Sequence, residues 1–294
     1  MKRAPTRVDR ERSALVRTIA LTGAAMTAFA CNSILCRLAL GGGSIDAASF
    51  TTIRLVAGAA ALWLIVRWRS RGSPPIAHGD WPSALALFAY AATFSFAYLS
   101  LTAATGALLL FGAVQVTMIG SGLRHGERLH RWQGLGLLLA LCGLVGLLAP
   151  GLTAPPLEGA LLMIAAGVSW GLYSLRGKRL RREPTMATAG NFLRAVPFAV
   201  ALSLVAGVGR VDPAGVAYAV VSGALASGVG YAIWYAALPS MRATTAATVQ
   251  LSVPVLTALA GLWLLGEQFT VRLVVTSIAI LGGIALVTAT PRRA

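Results

Sequence analysis

Apolar residues run through this chain in long, nearly unbroken blocks, and polar residues gather in short clusters between them. A helix needs roughly 20 apolar residues to cross a bilayer. Ten blocks reach or approach that length: Leu15–Leu40, Ala47–Val66, Trp81–Leu101, Ala103–Ser121, Gln133–Ala149, Leu157–Leu175, Ala187–Ala206, Pro213–Ala237, Ala243–Leu264 and Arg272–Ala289. The joints are short and carry helix breakers: Gly41–Gly43, Pro74-Pro75, Pro150–Pro156 and Gly207–Asp212. The pattern predicts an all-α integral membrane protein of ten transmembrane helices. Ala28-Phe29-Ala30 before Cys31 resembles a cleavage site. The long basic lead-in with Asp9 and Glu11, and the apolar run on to Leu40, instead predict a retained first helix.

Basic residues sort by joint. One set of alternate joints holds Lys2 to Arg17 of the N-terminal arm and the first turn of the first block, Arg67 to Arg71, Arg124 to Arg131, Arg176 to Arg182, Arg242, and Arg292-Arg293. The other set holds only Arg210 and Arg272. Cytoplasmic loops carry the positive charge, so both termini are expected in the cytoplasm.

The chain also matches itself at a shift of about 140 residues. Arg54 falls on Arg194, Gly126-Glu127 on Gly266-Glu267 and Gly143 on Gly283, while Arg37 falls on Arg176 one residue earlier. Residues 1–149 and 150–294 therefore read as two five-helix repeats. Five is odd, so the halves run in opposite directions. Inverted repeats place a site at the midplane and expose it to each side in turn, as transporters do.

Composition agrees. The chain is 57% hydrophobic and 12% charged, half the charge usual in soluble proteins. Its net charge of +16 is dispersed among the joints and forms no nucleic-acid stripe. Cys31, Cys36 and Cys142 lie in apolar blocks without a CxxC motif, and read as buried free thiols rather than disulfide or zinc ligands.

The ten blocks, the paired Arg54 and Arg194, and the Gly-Glu after each fourth block resemble the EamA-type drug/metabolite transporter superfamily. Ser169-Trp170-Gly171-Leu172-Tyr173, Gly228–Trp234 and Val253-Pro254-Val255-Leu256 are similar to the bacterial aromatic amino acid exporter branch. The resemblance implies export of amino acids or related small metabolites. Drug or nucleotide-sugar export, and a membrane-embedded lipid-processing enzyme, are the alternatives. The short turn Arg124-His125-Gly126-Glu127-Arg128 with His130 is the one place for the last.

All nine acids sit in termini, joints or block edges, so no buried carboxylate is expected to couple protons. No GxxxxGK[ST] phosphate loop is present. No catalytic residue, metal or cofactor is expected. The substrate would be small and close to neutral. One chain would enclose the path, so a monomer suffices.

Candidate lining residues follow from spacing. Tyr90, Phe94 and Tyr98 share one face of the third block, Trp170 and Tyr173 one face of the sixth, and Tyr231, Trp234 and Tyr235 one face of the eighth. Asn32 and Gln115 are costly to bury and make further candidates for substrate contact. Arg54 and Arg194 either cap helix carbonyls or snorkel outward, or meet a substrate carboxylate. Pro197 and Pro254 interrupt their blocks and are candidate hinges.

Overall fold

The computed structural model describes residues 7–69, 78–124, 130–149, 151, 154–179, 184–207, 209–237 and 249–289. Among them are ten helical rods, with Pro213–Ala237 taken as one: α1 (Arg7–Gly41), α2 (Ala47–Arg69), α3 (Trp81–Ala97), α4 (Ala103–Arg124), α5 (Arg131–Leu148), α6 (Leu157–Arg179), α7 (Pro184–Ala206), α8 (Pro213–Ala237), α9 (Ser252–Leu265) and α10 (Val271–Ala289). Seven of these helices are long and apolar enough to cross a membrane, and α3, α9 and α10 are shorter apolar helices. The apolar, helical architecture is that of an integral membrane protein. Gly126-Glu127, His125, Pro74-Pro75, Thr248 and most of the basic joints lie outside the described residues.

The third block ends earlier than its hydropathy suggests. α3 stops at Ala97, because the amides of Leu99 and Ser100 turn back to the carbonyls three residues before them, Phe96 and Ala97, each at 3.2 Å. Tyr98 thus caps the helix instead of extending its face. The start of α3 is firmly set. The Asp80 carboxylate accepts the Ser83 amide at 2.8 Å, and a proline follows in the first turn, both standard start signals.

The ninth block also differs. Regular α9 begins at Ser252, and the turn at Leu251 precedes it. Pro254 has no N–H for the Gln250 carbonyl, so the helix restarts there. Pro254 therefore occupies a first turn, where proline is tolerated, rather than the middle of a kinked span. Pro197 does lie inside α7, where it deprives the Leu193 carbonyl of its usual donor.

α3 packs on α6, and α1 on α8. α4 packs on α6, and α1 on α9. α2 meets α7, and α5 meets α10. Small residues permit the close approaches, as in other membrane bundles. A Cβ on Gly143 would stand 2.9 Å from the Ala279 Cβ across the α5–α10 contact. The three cysteines are free, but only Cys36 is buried; Cys31 and Cys142 are exposed. Their helices turn those faces outward, and a thiol behaves there as a small hydrophobe.

α8 is not a regular helix throughout. Between Pro213–Val221 and Gly230–Ala237 it widens into a π-helical stretch, Ser222–Val229. Such stretches frequently mark functional sites, and hydropathy does not register them.

Candidate functional site

The π-helical stretch lies beside Arg54. Arg54 of α2 is 2% exposed and heads the largest fully buried side chains. Its Nε donates to the Ser227 Oγ at 3.4 Å and its Nη2 to the Tyr90 hydroxyl at 3.2 Å. Its guanidinium stands 5.0 Å from the Phe94 ring centroid and 5.3 Å from that of Tyr90. Its Nη1 is buried without a hydrogen-bond partner among the described residues. A desolvated cation with a spare donor is expensive. Arg54 therefore neither snorkels nor caps carbonyls, in contrast to the structural reading of its sequence.

The polar cluster extends from there. Asn32 of α1 donates Nδ2 to the Tyr90 hydroxyl at 3.3 Å, and its Oδ1 accepts the Ser222 hydroxyl at 2.7 Å. Ser222 and Ser227 are five residues apart. In a regular α-helix they would diverge by about 140°. The wider π turns, whose bonds run from i to i+5, bring both toward the same polar cluster.

A cavity of about 20 Å³ adjoins this cluster. Its wall is formed by Phe29, Asn32 and Ser33 of α1, Tyr90 and Phe94 of α3, Leu110 and Phe111 of α4, Trp170 of α6, and Ala226 and Tyr231 of α8. The Trp170 ring centroid lies 5.0 Å from those of both Tyr90 and Tyr231, and Phe29 packs edge-on to Tyr231 at 5.7 Å. The volume suits one water molecule, so a larger guest requires the helices to part.

Of the sequence candidates, Asn32, Tyr90, Trp170 and Tyr231 share this wall. Tyr98, Gln115, Tyr173 and Trp234 do not. Tyr98 is 0% exposed and packs edge-on against Phe94 at 4.8 Å in the α3–α4 turn. Gln115 is buried on α4. Tyr173 stacks on Trp170 at 5.6 Å and hydrogen-bonds Asn191, Thr188 and Tyr235. Trp234 packs edge-on to Phe29 at 6.2 Å, one layer behind the wall. Arg194 is occupied elsewhere: its Nη1 donates to the carbonyls of His78 at 2.6 Å and Gly190 at 3.2 Å. The equal spacing of the two arginines thus conceals two different jobs.

Sequence reasoning missed Phe29, Leu110, Phe111 and Ala226 in the wall, and Ser227 behind it. One signal was available for Phe29. It stands three and four residues before Asn32 and Ser33, on the same helix face.

The comparisons address the whole chain. The EamA-like transporter family matches residues 157–289. A Pseudomonas aeruginosa protein, the uncharacterized protein PA1977, is 57% identical over 274 residues, 93% of this chain and 95% of that protein. The C-terminal part of the chain, from residue 157 to 289, is thus an EamA-like transporter domain. The threonine/homoserine exporter RhtA of Escherichia coli K12 is 32% identical over 142 residues, 46% of this chain and 47% of that exporter. One solved crystal structure superposes with a TM-score of 0.65 at 22% identity, covering 92% of this chain and 99% of its own. That likeness shows a shared fold. Within the EamA-like family frame, the residues matched by the family run from α6 to α10.

Proposed function

We propose that this protein is a secondary transporter that exports neutral and aromatic amino acids, and related small carboxylates, by alternating access. Arg54 carries the reading. One buried guanidinium with a free donor suits one carboxylate, because charge-assisted pairs are the strong ones. The aromatic wall beside it suits an apolar or aromatic side chain. A nucleotide diphosphate would want several cations, and Arg194 is already bound to carbonyls. The printed name of RhtA, a threonine/homoserine exporter, supports both the amino acid class and the outward direction.

Two repeats support the mechanism. The helix contacts come in exchanged couples: α3 with α6 mirrors α8 with α1, and α4 with α6 mirrors α9 with α1. The α2–α7 and α5–α10 contacts map onto themselves. The family match over α6 to α10 agrees with a second unit beginning near residue 150. In this reading the chain lies in the bacterial inner membrane with both termini inside, and a single copy encloses the path.

Efflux from liposomes loaded with an amino acid mixture, followed by mass spectrometry, tests the reading. Neutral and aromatic amino acids should leave selectively. Arg54→Gln should slow that efflux by about 10- to 100-fold, the worth of a hydrogen-bonded charge, while the protein still purifies folded. Retention of every amino acid by the parent protein would reject the substrate class. Unchanged efflux in Arg54→Gln would reject the role of Arg54.

A further inference from the structure

Both ends of α3 are tied to the C-terminal half of the chain, directly at the start and through Arg37 of α1 at the finish. At its start, the Arg176 Nη2 of α6 donates to the Asp80 Oδ1 at 2.9 Å, and its Nε to the Ser83 hydroxyl at 3.0 Å. Asn191 of α7 accepts the Asp80 amide at 2.9 Å. At its finish, Arg37 of α1 donates to the Tyr98 carbonyl at 3.1 Å and lies 3.9 Å from Glu267. Glu267 itself reaches from beyond α9 to accept the Ala103 amide at 2.7 Å and that of Ala104 at 3.3 Å. These are the first free amides of α4, where a carboxylate is well placed.

α3 has 17 residues, about 25 Å of helix. The two ion pairs therefore stand at opposite ends of a rod whose second half, through Tyr90 and Phe94, walls the cavity. Arg37 and Arg176 are also counterparts under the internal repeat. We propose that Asp80–Arg176 and Arg37–Glu267 are the two gates of the transport path, each closing one mouth, and that the protein opens them one at a time. The first pair is partly exposed, its side chains 42% and 34%, and such pairs are weak enough to break and reform. In the second, Arg37 is 27% exposed and Glu267 only 9%, but their 3.9 Å separation is longer than a hydrogen bond, so Arg37 can leave while Glu267 keeps its two α4 amides. Opening the first leaves no bare helix start, since Asp80 continues to cap α3 through Ser83. Both pairs are formed here, and the cavity between them is water-sized.

The proposal rests on the transporter reading and not on the amino acid assignment. Its test reads sidedness and needs no substrate. A reporter cysteine, Ala226→Cys, is placed in the cavity wall of a protein carrying Cys31→Ser, Cys36→Ala and Cys142→Ser. A membrane-impermeant maleimide is then applied to spheroplasts and, separately, to inverted membrane vesicles. Asp80→Asn, which keeps a capping side chain, and Arg176→Gln should each raise labelling about three- to fivefold from one face only. Arg37→Gln and Glu267→Gln should raise it by a similar factor from the opposite face only. Each gate is read by two variants, and a monodisperse elution profile selects those that fold. Folded variants that raise labelling from the same face, from both faces or not at all overturn the proposal.

Discussion

At Gly223 the backbone of α8 lies against the Arg54 backbone, closer than any Cβ permits. This contact buries Arg54 between α2 and α8, and Gly58 and Gly228 extend it along the same seam. Gly223→Ala should therefore push the helices apart and cost about 1–3 kcal/mol of stability, as overpacked cores do. Thermal unfolding in detergent would show the loss, and an unchanged midpoint would mean that the seam yields freely. Arg54 was legible from sequence because a charge inside an apolar block demands a reason. Its surroundings were not. Ser227 and Tyr90 come from distant segments, and no spacing rule links them to residue 54. Arg194 has the same local sequence setting, yet it serves the carbonyls of His78 and Gly190. Tyr98 continued the i, i+4 series of Tyr90 and Phe94 on paper, but the helix ended one residue before it.

Among the elements, α8 departs furthest from expectation. Hydropathy located its start at Pro213 correctly. It could not detect the π-helical stretch, because small residues such as Gly223, Ala224 and Ala226 fit either winding. On the proposed reading, function should depend on the winding. Removing one residue from Ser222–Val229, for instance Leu225, which is 57% exposed, should let α8 return to regular turns. Ser227 would then swing away from Arg54, and efflux should fall by about tenfold or more. Leu225→Ala keeps the residue count and should transport near the parent rate. Equal activity in the deletion and the substitution would show that the winding is dispensable. α9 teaches the complementary lesson. Pro254 was visible as an interruption, but only the structure places it in a first turn.

In the whole molecule, the helical membrane architecture was the most legible feature, since apolar block length follows directly from bilayer thickness. The cross-ties at the helix ends were the least legible. Glu267 reads as a joint residue, and nothing local says that it caps α4. The Asp80 tie has a definite response to acid. Partial burial pushes its carboxyl up, but the Ser83 amide and hydroxyl and the Arg176 guanidinium outweigh this and hold it below the ordinary carboxylate range. A depressed value means that the tie is fully present above the ordinary aspartate value of about 3.9. It is lost only as the pH falls through the lower folded value. The thermal unfolding midpoint should thus fall in strong acid, and Asp80→Asn should lack that part of the fall. A fall of this kind beginning well above the ordinary aspartate range would contradict the tie.

The solitary guanidinium of Arg54 has an electrical consequence. Among the described residues no carboxylate shares its site, so the centre of the molecule holds an unbalanced positive charge fixed to the protein. On the amino acid reading proposed above, a zwitterion docking there would bring a compensating carboxylate and carry it away again. Each passage would then move no net charge across the bilayer. Membrane voltage would neither drive nor oppose the flux, and the concentration ratio alone would set its direction.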